Sequence, residues 1–185
     1  MPLAAALRAA TQPTHAALES RLDLAGGRWT RVRYAAFLRA TLAVVADLEA
    51  EVGALIGSRL PRWEARPSER LRADLARLGA DAQVESDDAR RPRTAAQAFG
   101  AAYVLQGSQL GAPFIARALA AQLSLLEADM TYLRPPRAEG PAWADFVAAL
   151  DRFGRESPDA RPQVLDAARR TFGDFERAFL REGFA

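Results

Sequence analysis

The chain contains no cysteine, no lysine and a single histidine, His15. Without a thiol it forms no disulfide, holds no zinc through thiolates, carries no iron–sulfur cluster and has no cysteine nucleophile of the kind a thiaminase-like activity uses. That absence suits a reducing compartment, and the cytoplasm is the expected location. One imidazole cannot supply the two Glu-x-x-His pairs of a carboxylate-bridged di-iron oxidase. No stretch of 18 apolar residues is present, so no membrane span is expected. The start, "MPLAAALRAATQ", lacks the basic residues and long apolar run of a signal peptide. All basic side chains are arginine and the net charge is only +2, which argues against nucleic acid as a partner. No GxGxxG fingerprint for a flavin or nicotinamide occurs.

What remains is rich in Ala, Leu and Arg, and half of the 185 residues are hydrophobic. Such a composition favours helix. The apolar spacing predicts helical blocks and no convincing strand. The first covers 3–24, with Pro13 inside it. The second runs from Thr30 as N-cap to Gly57 as stop. Pro61, Trp63 and Pro67 mark a loop, and "SERLRADLARLGA" follows as a short helix capped by Ser68. The polar segment 80–93 reads as a loop. A long helix is expected from about Thr94 to Glu127, then a loop through "YLRPPRAEGPAW", a helix over 142–154 ending at Gly154, and a last helix from Ser157 or Pro158 almost to the C-terminus. The expected architecture is all-α: one domain, residues 1–185, of six to eight helices.

His15 sits in "LRAATQPTHAALESRL". Seven residues is nearly two helical turns, so Arg8 shares its face about 10 Å along the axis. Glu19 lies at i+4, and Leu18 and Leu22 make that side apolar. An imidazole on an apolar face can ligate a flat apolar metal cofactor. A carboxylate beside it can fix the ring tautomer, and an arginine can pair with an acidic group on the cofactor rim.

A second unusual stretch is "YVLQGSQLGAPFIARAL", residues 103–119. Gly107, Gly111 and Pro113 are costly inside a helix, about 1 kcal/mol per glycine and about 3 for proline. Gly107 and Gly111 are four apart and share a face, so the backbone there can touch a flat object. Ser108 adds a hydroxyl and Gln109 an amide.

Taken together, "LRxATxxxH" with Glu four residues on, and "YVLxGSxLG" some ninety residues later, resemble heme oxygenases, most of all the bacterial type associated with bacteriophytochromes. "RYAAFLRATLAVVADLEAEV" is similar to that family's second helix, and "GPAWADFVAAL" with "VLDAARRTFGDFERAF" to its final pair. The resemblance implies a helical bundle that clamps heme between a proximal helix and a kinked distal helix. It implies His15 as iron ligand, Arg8 and Arg161 facing heme propionates, Glu19 as the acidic neighbour of the ligand, and Gly107 and Gly111 lying over the iron. Many family members carry an aspartate after the first distal glycine; here Ser108 stands there, and a hydroxyl can join a water chain without acting as a carboxylate acid.

The implied reaction is O2- and electron-dependent cleavage of heme to biliverdin, carbon monoxide and iron, with heme as substrate and cofactor at once. Electrons come from an external ferredoxin or reductase, and a bacteriophytochrome is the implied user of biliverdin. The competing reading is a non-enzymatic heme carrier or sensor on the same fold, which keeps His15 and leaves heme intact.

Overall fold

The computed structural model describes residues 1–23, 27–60, 66–125, 129–134 and 142–184. Among these lie six α-helices and no strand: α1 (Leu3–Leu22), α2 (Arg31–Ile56), α3 (Pro67–Arg77), α4 (Ala95–Leu123), α5 (Trp143–Glu156) and α6 (Arg161–Arg181). Pro61 and Trp63, and most of the 132–143 loop, fall outside the described residues.

Thr30 caps α2 as its sequence context predicts, and Thr94 does the same for α4. Thr30 accepts from the Arg33 N–H at the start of α2, and Thr94 accepts from the Gln97 N–H at the start of α4. Each satisfies a donor that the first helical turn leaves orphaned. Four ends differ from expectation. Helix α6 begins at Arg161, after a short 3₁₀ turn over Pro158–Ala160, rather than at Ser157 or Pro158. Helix α3 begins at Pro67, where a missing N–H costs nothing; Ser68 is spent instead on Glu49 of α2, to which it donates its N–H and its hydroxyl. Helix α4 stops at Leu123, before Glu127, because Ser124 turns left-handed at φ 52°. Gly154 lies inside α5 rather than ending it. A Cβ there would stand 2.9 Å from Cβ of Leu3, so this glycine serves the contact between α5 and α1.

One apolar cluster runs from Leu3 to Phe184. Helix α6 is its axis, packed against α1, α2 and α4, while α3 lies on α2. Helix α4 crosses close over α6 at Gly100, where a Cβ would meet the Val164 carbonyl oxygen at 2.4 Å. Contacts along the chain set the directions. Arg161 bonds the Met1 carbonyl, Phe172 meets His15 and Glu176 meets Arg21, so α1 and α6 run parallel. Gly100 sits at Val164 and Ala168. Farther along, Gln122 binds the Trp29 N–H, and Trp29 touches Phe184, so α4 runs parallel to both. The polar 80–93 segment is fixed by Arg90, buried with Asp47 and bonded to the Ala43 carbonyl.

Candidate functional site

The Tyr103 phenol of α4 faces Thr11 and Arg8 of α1. The Thr11 hydroxyl donates to the Leu7 carbonyl, 2.8 Å away. Burial pushes the Tyr103 phenol up, and Thr11 and Arg8 pull the other way. One helical turn beyond Thr11 and Tyr103, about 6 Å in the shared direction, stand His15 on α1 and Gly107 on α4.

His15 is half-exposed, its side chain 53% accessible, although the α1 residues before it, Leu3, Leu7 and Thr11, are buried. Its ring stands edge-on to Phe172 of α6, centroids 5.8 Å apart at 77°. Nδ1 lies 3.4 Å from Glu19 Oε2, which leaves Nε2 as the nitrogen available to a ligand. Opposite, Tyr103, Gly107, Leu110, Gly111 and Phe114 follow helical spacing and share one face of α4. A Cβ at Gly111 would meet nothing within 4 Å, and one at Gly107 only the Trp143 ring at 3.9 Å. Leu110 and Phe114 are 52% and 79% exposed on the same face. These features make an apolar slot with an imidazole on one wall, side-chain-poor backbone on the other, and Arg8 and Tyr103 at one end. That donor set fits a flat, largely apolar metal complex with an anionic edge.

The structure places Arg8, His15 and Glu19 along α1, with Arg8 near Tyr103, which stands one turn before Gly107 on α4; Ser108 is exposed. It does not bring Arg161 to them. That guanidinium donates to the Met1 carbonyl at 3.0 Å, at the far end of α1. Fourteen residues of helix, roughly 21 Å, separate Met1 from His15. The propionate assignment that the resemblance gives Arg161 is not met by this position.

Sequence reasoning passed over Tyr103, Thr11, Trp143 and Phe172. Tyr103 had a legible signal, because it precedes Gly107 by one turn and so shares its face. Trp143 stacks near Tyr103, centroids 5.7 Å apart, and only the tertiary fold brings it there. Ser108 donates to the Leu105 carbonyl at 2.8 Å, and with Gln109 it lies near the buried Tyr132 phenol. No cluster of three or more His, Cys, Asp or Glu side chains suited to a metal ion occurs among the described residues. None of the described helices is long and apolar enough to cross a membrane.

Comparison with known proteins gave two findings. A family model described as heme oxygenase matches residues 1–181. The heme oxygenase from Neisseria meningitidis, solved with NO and CO bound, has a similar structure: TM-score 0.79 at 21% identity, over 98% of this chain and 92% of that one. A likeness at that identity speaks to the fold. No curated protein sequence matches the chain.

Proposed function

The chain belongs to the heme oxygenase family, and from that premise we propose how its own residues hold and turn over the substrate. The protein is an enzyme that degrades heme, cleaving it with O2 and electrons to biliverdin, carbon monoxide and iron. When bound, heme supplies the redox-active iron and the carbon skeleton that is opened.

His15 is the iron ligand, through Nε2. Glu19 at Nδ1 holds the ring in the tautomer that leaves Nε2 unprotonated, the role an outer carboxylate commonly plays for a metal-bound histidine. Phe172 limits ring rotation from behind. Arg8 and Tyr103 take the carboxylate edge, a guanidinium and a phenol donor side by side. Gly107 and Gly111 let the α4 backbone lie against the opposite face of the macrocycle. Leu110 and Phe114, exposed without substrate, cover its apolar rim and keep water out. The observation that carries the reading is the approach of Tyr103 to Thr11 and Arg8, since the half-exposed His15 and the side-chain-poor Gly107–Gly111 face each follow one turn farther along their helices.

The finer assignments rest on chemistry and motif. An acidic ferredoxin or reductase suits a chain whose excess charge is all arginine, with Arg8 exposed beside the slot. The likeness of "YVLQGSQLG" to the bacteriophytochrome-associated type supports a bacteriophytochrome as the user of biliverdin. A chain without cysteine suits the cytoplasm. The apolar cluster that spans Leu3 to Phe184 supports residues 1–185 as one domain.

The test is His15→Ala. Purified parent protein with hemin, a reductant and air is expected to lose its Soret band as biliverdin appears. The variant is expected to fold, because His15 is half-exposed, and to lack the histidine-ligated spectrum and the product. A variant with the parental spectrum removes the ligand assignment.

A further inference from the structure

Helix α4 is held at two places that flank its bare face. At Gly100 it lies against the α6 backbone, too close for a Cβ. Near its other end, Gln122 Oε1 accepts from the Trp29 N–H at 3.2 Å. Between them Leu110 and Phe114 are exposed, and a Cβ at Gly111 would meet nothing within 4 Å. Pro113 removes one of the helix's own hydrogen bonds in the same stretch. Trp29 follows α1 and precedes α2, so its bond to Gln122 joins the α4 wall of the slot to the chain that leaves the α1 wall. The residue lies between helices and is 5% exposed, so its N–H has no helical acceptor and little access to water. Such an amide needs the oxygen that Gln122 brings.

Trp29 is itself fixed by a stack drawn from distant parts of the chain. Its ring lies 6.1 Å from Phe37 of α2, edge-on at 81°, and 5.9 Å from Phe184. The Arg33 guanidinium covers both partners, 5.4 Å from the Trp29 ring centre and 4.6 Å from that of Phe184, the attraction of a cation for an aromatic face. Phe184 is 1% exposed. It turns back onto the bundle because Gly183 is left-handed at φ 86°. The Phe184 N–H then reaches the Phe179 carbonyl at 3.0 Å and the Gly183 N–H the Leu180 carbonyl at 3.1 Å, the paired bonds that close many helices at a glycine. Arg39 of α2 grips Glu182 through two nitrogens, at 2.6 and 3.2 Å. Residues 182–184 are thus committed by charge, backbone and ring to their place beside Trp29.

Resting on the reading of the slot as the heme site, we propose that Gln122 is a positioning residue: its bond to the Trp29 N–H anchors the far end of α4, and the stack of Trp29, Arg33 and Phe184 keeps that anchor in place. Helix α4 then bears on the substrate as a rod supported at both ends, not as one held at Gly100 alone. The support is needed because glycine and proline weaken the rod between the two points. The anchor touches no substrate; it governs how long α4 stays seated, and through Phe184 it makes residence in the slot depend on the segment that follows α6. Its effect has a calculable size. Without the Gln122 oxygen, the Trp29 N–H is left unpaired while α4 is seated and is hydrated when α4 lifts, so lifting becomes easier. A hydrogen bond of ordinary net worth moves that balance by about two- to tenfold.

The test compares Gln122→Leu, which removes the acceptor, with Gln122→Glu, which keeps it. In the substrate-free protein, amide hydrogen exchange over residues 107–118 is expected to quicken by about two- to tenfold in Gln122→Leu and to stay parental in Gln122→Glu. Both should melt close to the parent, because the Gln122 side chain is exposed. With hemin bound, Gln122→Leu is expected to keep the parental spectrum and to release hemin to excess apomyoglobin about two- to tenfold faster, while Gln122→Glu releases it at the parental rate. Phe184→Ala is expected to speed release at least as much, and the double variant Gln122→Leu with Phe184→Ala no further, since both act through Trp29. Leu71→Ala, wholly buried on α3, is the control for lost stability: it should melt lower and release hemin at the parental rate while folded. Parental exchange, or parental release, in Gln122→Leu overturns the proposal. Release quickened as much by Leu71→Ala as by Phe184→Ala overturns the part given to the stack. Should Phe184→Ala fail to fold, the two Gln122 variants decide the anchor alone. A parent that takes up no hemin through His15 defeats the account of the slot instead, and the exchange rates over residues 107–118 then uphold or overturn the anchor by themselves.

Discussion

Gly111→Ala is expected to make the substrate-free protein more stable and the enzyme worse. A Cβ at Gly111 would meet nothing within 4 Å, and the residue lies inside α4. Alanine is favoured over glycine in a helix interior by about 0.8–1.0 kcal/mol, and nothing in the fold opposes that gain. For a chain of this size it corresponds to a rise of about 2–4 °C in melting temperature. Gly107→Ala should follow the same direction, since its Cβ would make only ordinary contacts with Trp143 at 3.9 and 4.0 Å. Gly100 is the control on the same helix. A Cβ there would stand 2.4 Å from the Val164 carbonyl oxygen, 2.7 Å from the Ala167 Cβ and 2.9 Å from the Ala168 nitrogen. Two of these are backbone atoms that cannot rotate away, so α4 and α6 must part. Overpacking of that kind costs about 1–3 kcal/mol, more than the helix propensity returns. The assay is calorimetric unfolding of the three substrate-free variants beside the parent, then hemin titration of the same samples. Gly111→Ala and Gly107→Ala should bind hemin at least about tenfold more weakly, a loss of about 1.4 kcal/mol, because the added methyl occupies the plane the macrocycle needs. Gly100→Ala should melt lower and bind hemin normally while folded. The reasoning fails if Gly111→Ala melts lower than the parent, or binds and converts hemin as the parent does.

Arg8→Ala should weaken hemin binding by about 1–3 kcal/mol, the worth of a charged hydrogen bond, with little change in melting temperature because the side chain is exposed; unaltered affinity would return Arg8 to the ordinary surface. Asp74→Asn should destabilise the fold by about 2–4 kcal/mol, since a buried amide cannot accept from Thr131, Tyr132 and Arg77 at once; denaturant unfolding at the parental midpoint would contradict this. Stability should also fall in alkali. Burial, first of all, raises the phenol pKa of both Tyr34 and Tyr132 above the ordinary 10.0, so each holds its proton more tightly folded than unfolded. Their contribution is complete below about pH 10 and is lost as the pH climbs beyond it. Urea midpoints should stay level up to that point and then drop, with tyrosinate absorbance appearing together with unfolding. Ionisation of more than the one half-buried tyrosine, Tyr103, while the protein stays folded would refute the assignment.

Much of the fold was written locally. Thr30 announced its helix because a cap is chemistry between residues two or three apart, which order in the chain already decides. The face shared by Arg8, His15 and Glu19, and the pairing of Gly107 with Gly111, follow from helical periodicity alone. Gly100 and Gly154 were not distinguishable from any other helical glycine, because what forbids a side chain at each is a neighbour far along the chain. Ser68 reads as a cap until Glu49 is seen beside it, and Arg161 reads as a site residue until it is found against Met1.

By itself the sequence determined the class of structure and the chemical parts: an α-helical chain, one imidazole on an apolar face, and a glycine-bearing helix rich in small residues. Only the tertiary structure decided that α1 and α4 run parallel, that Tyr103 comes up against Thr11 and Arg8, and that Asp74 of α3 holds Thr131 and Tyr132. Periodicity within a helix is a property of its own backbone geometry, whereas register between helices is set by which side chains pack and bond across the gap. No local pattern encodes that.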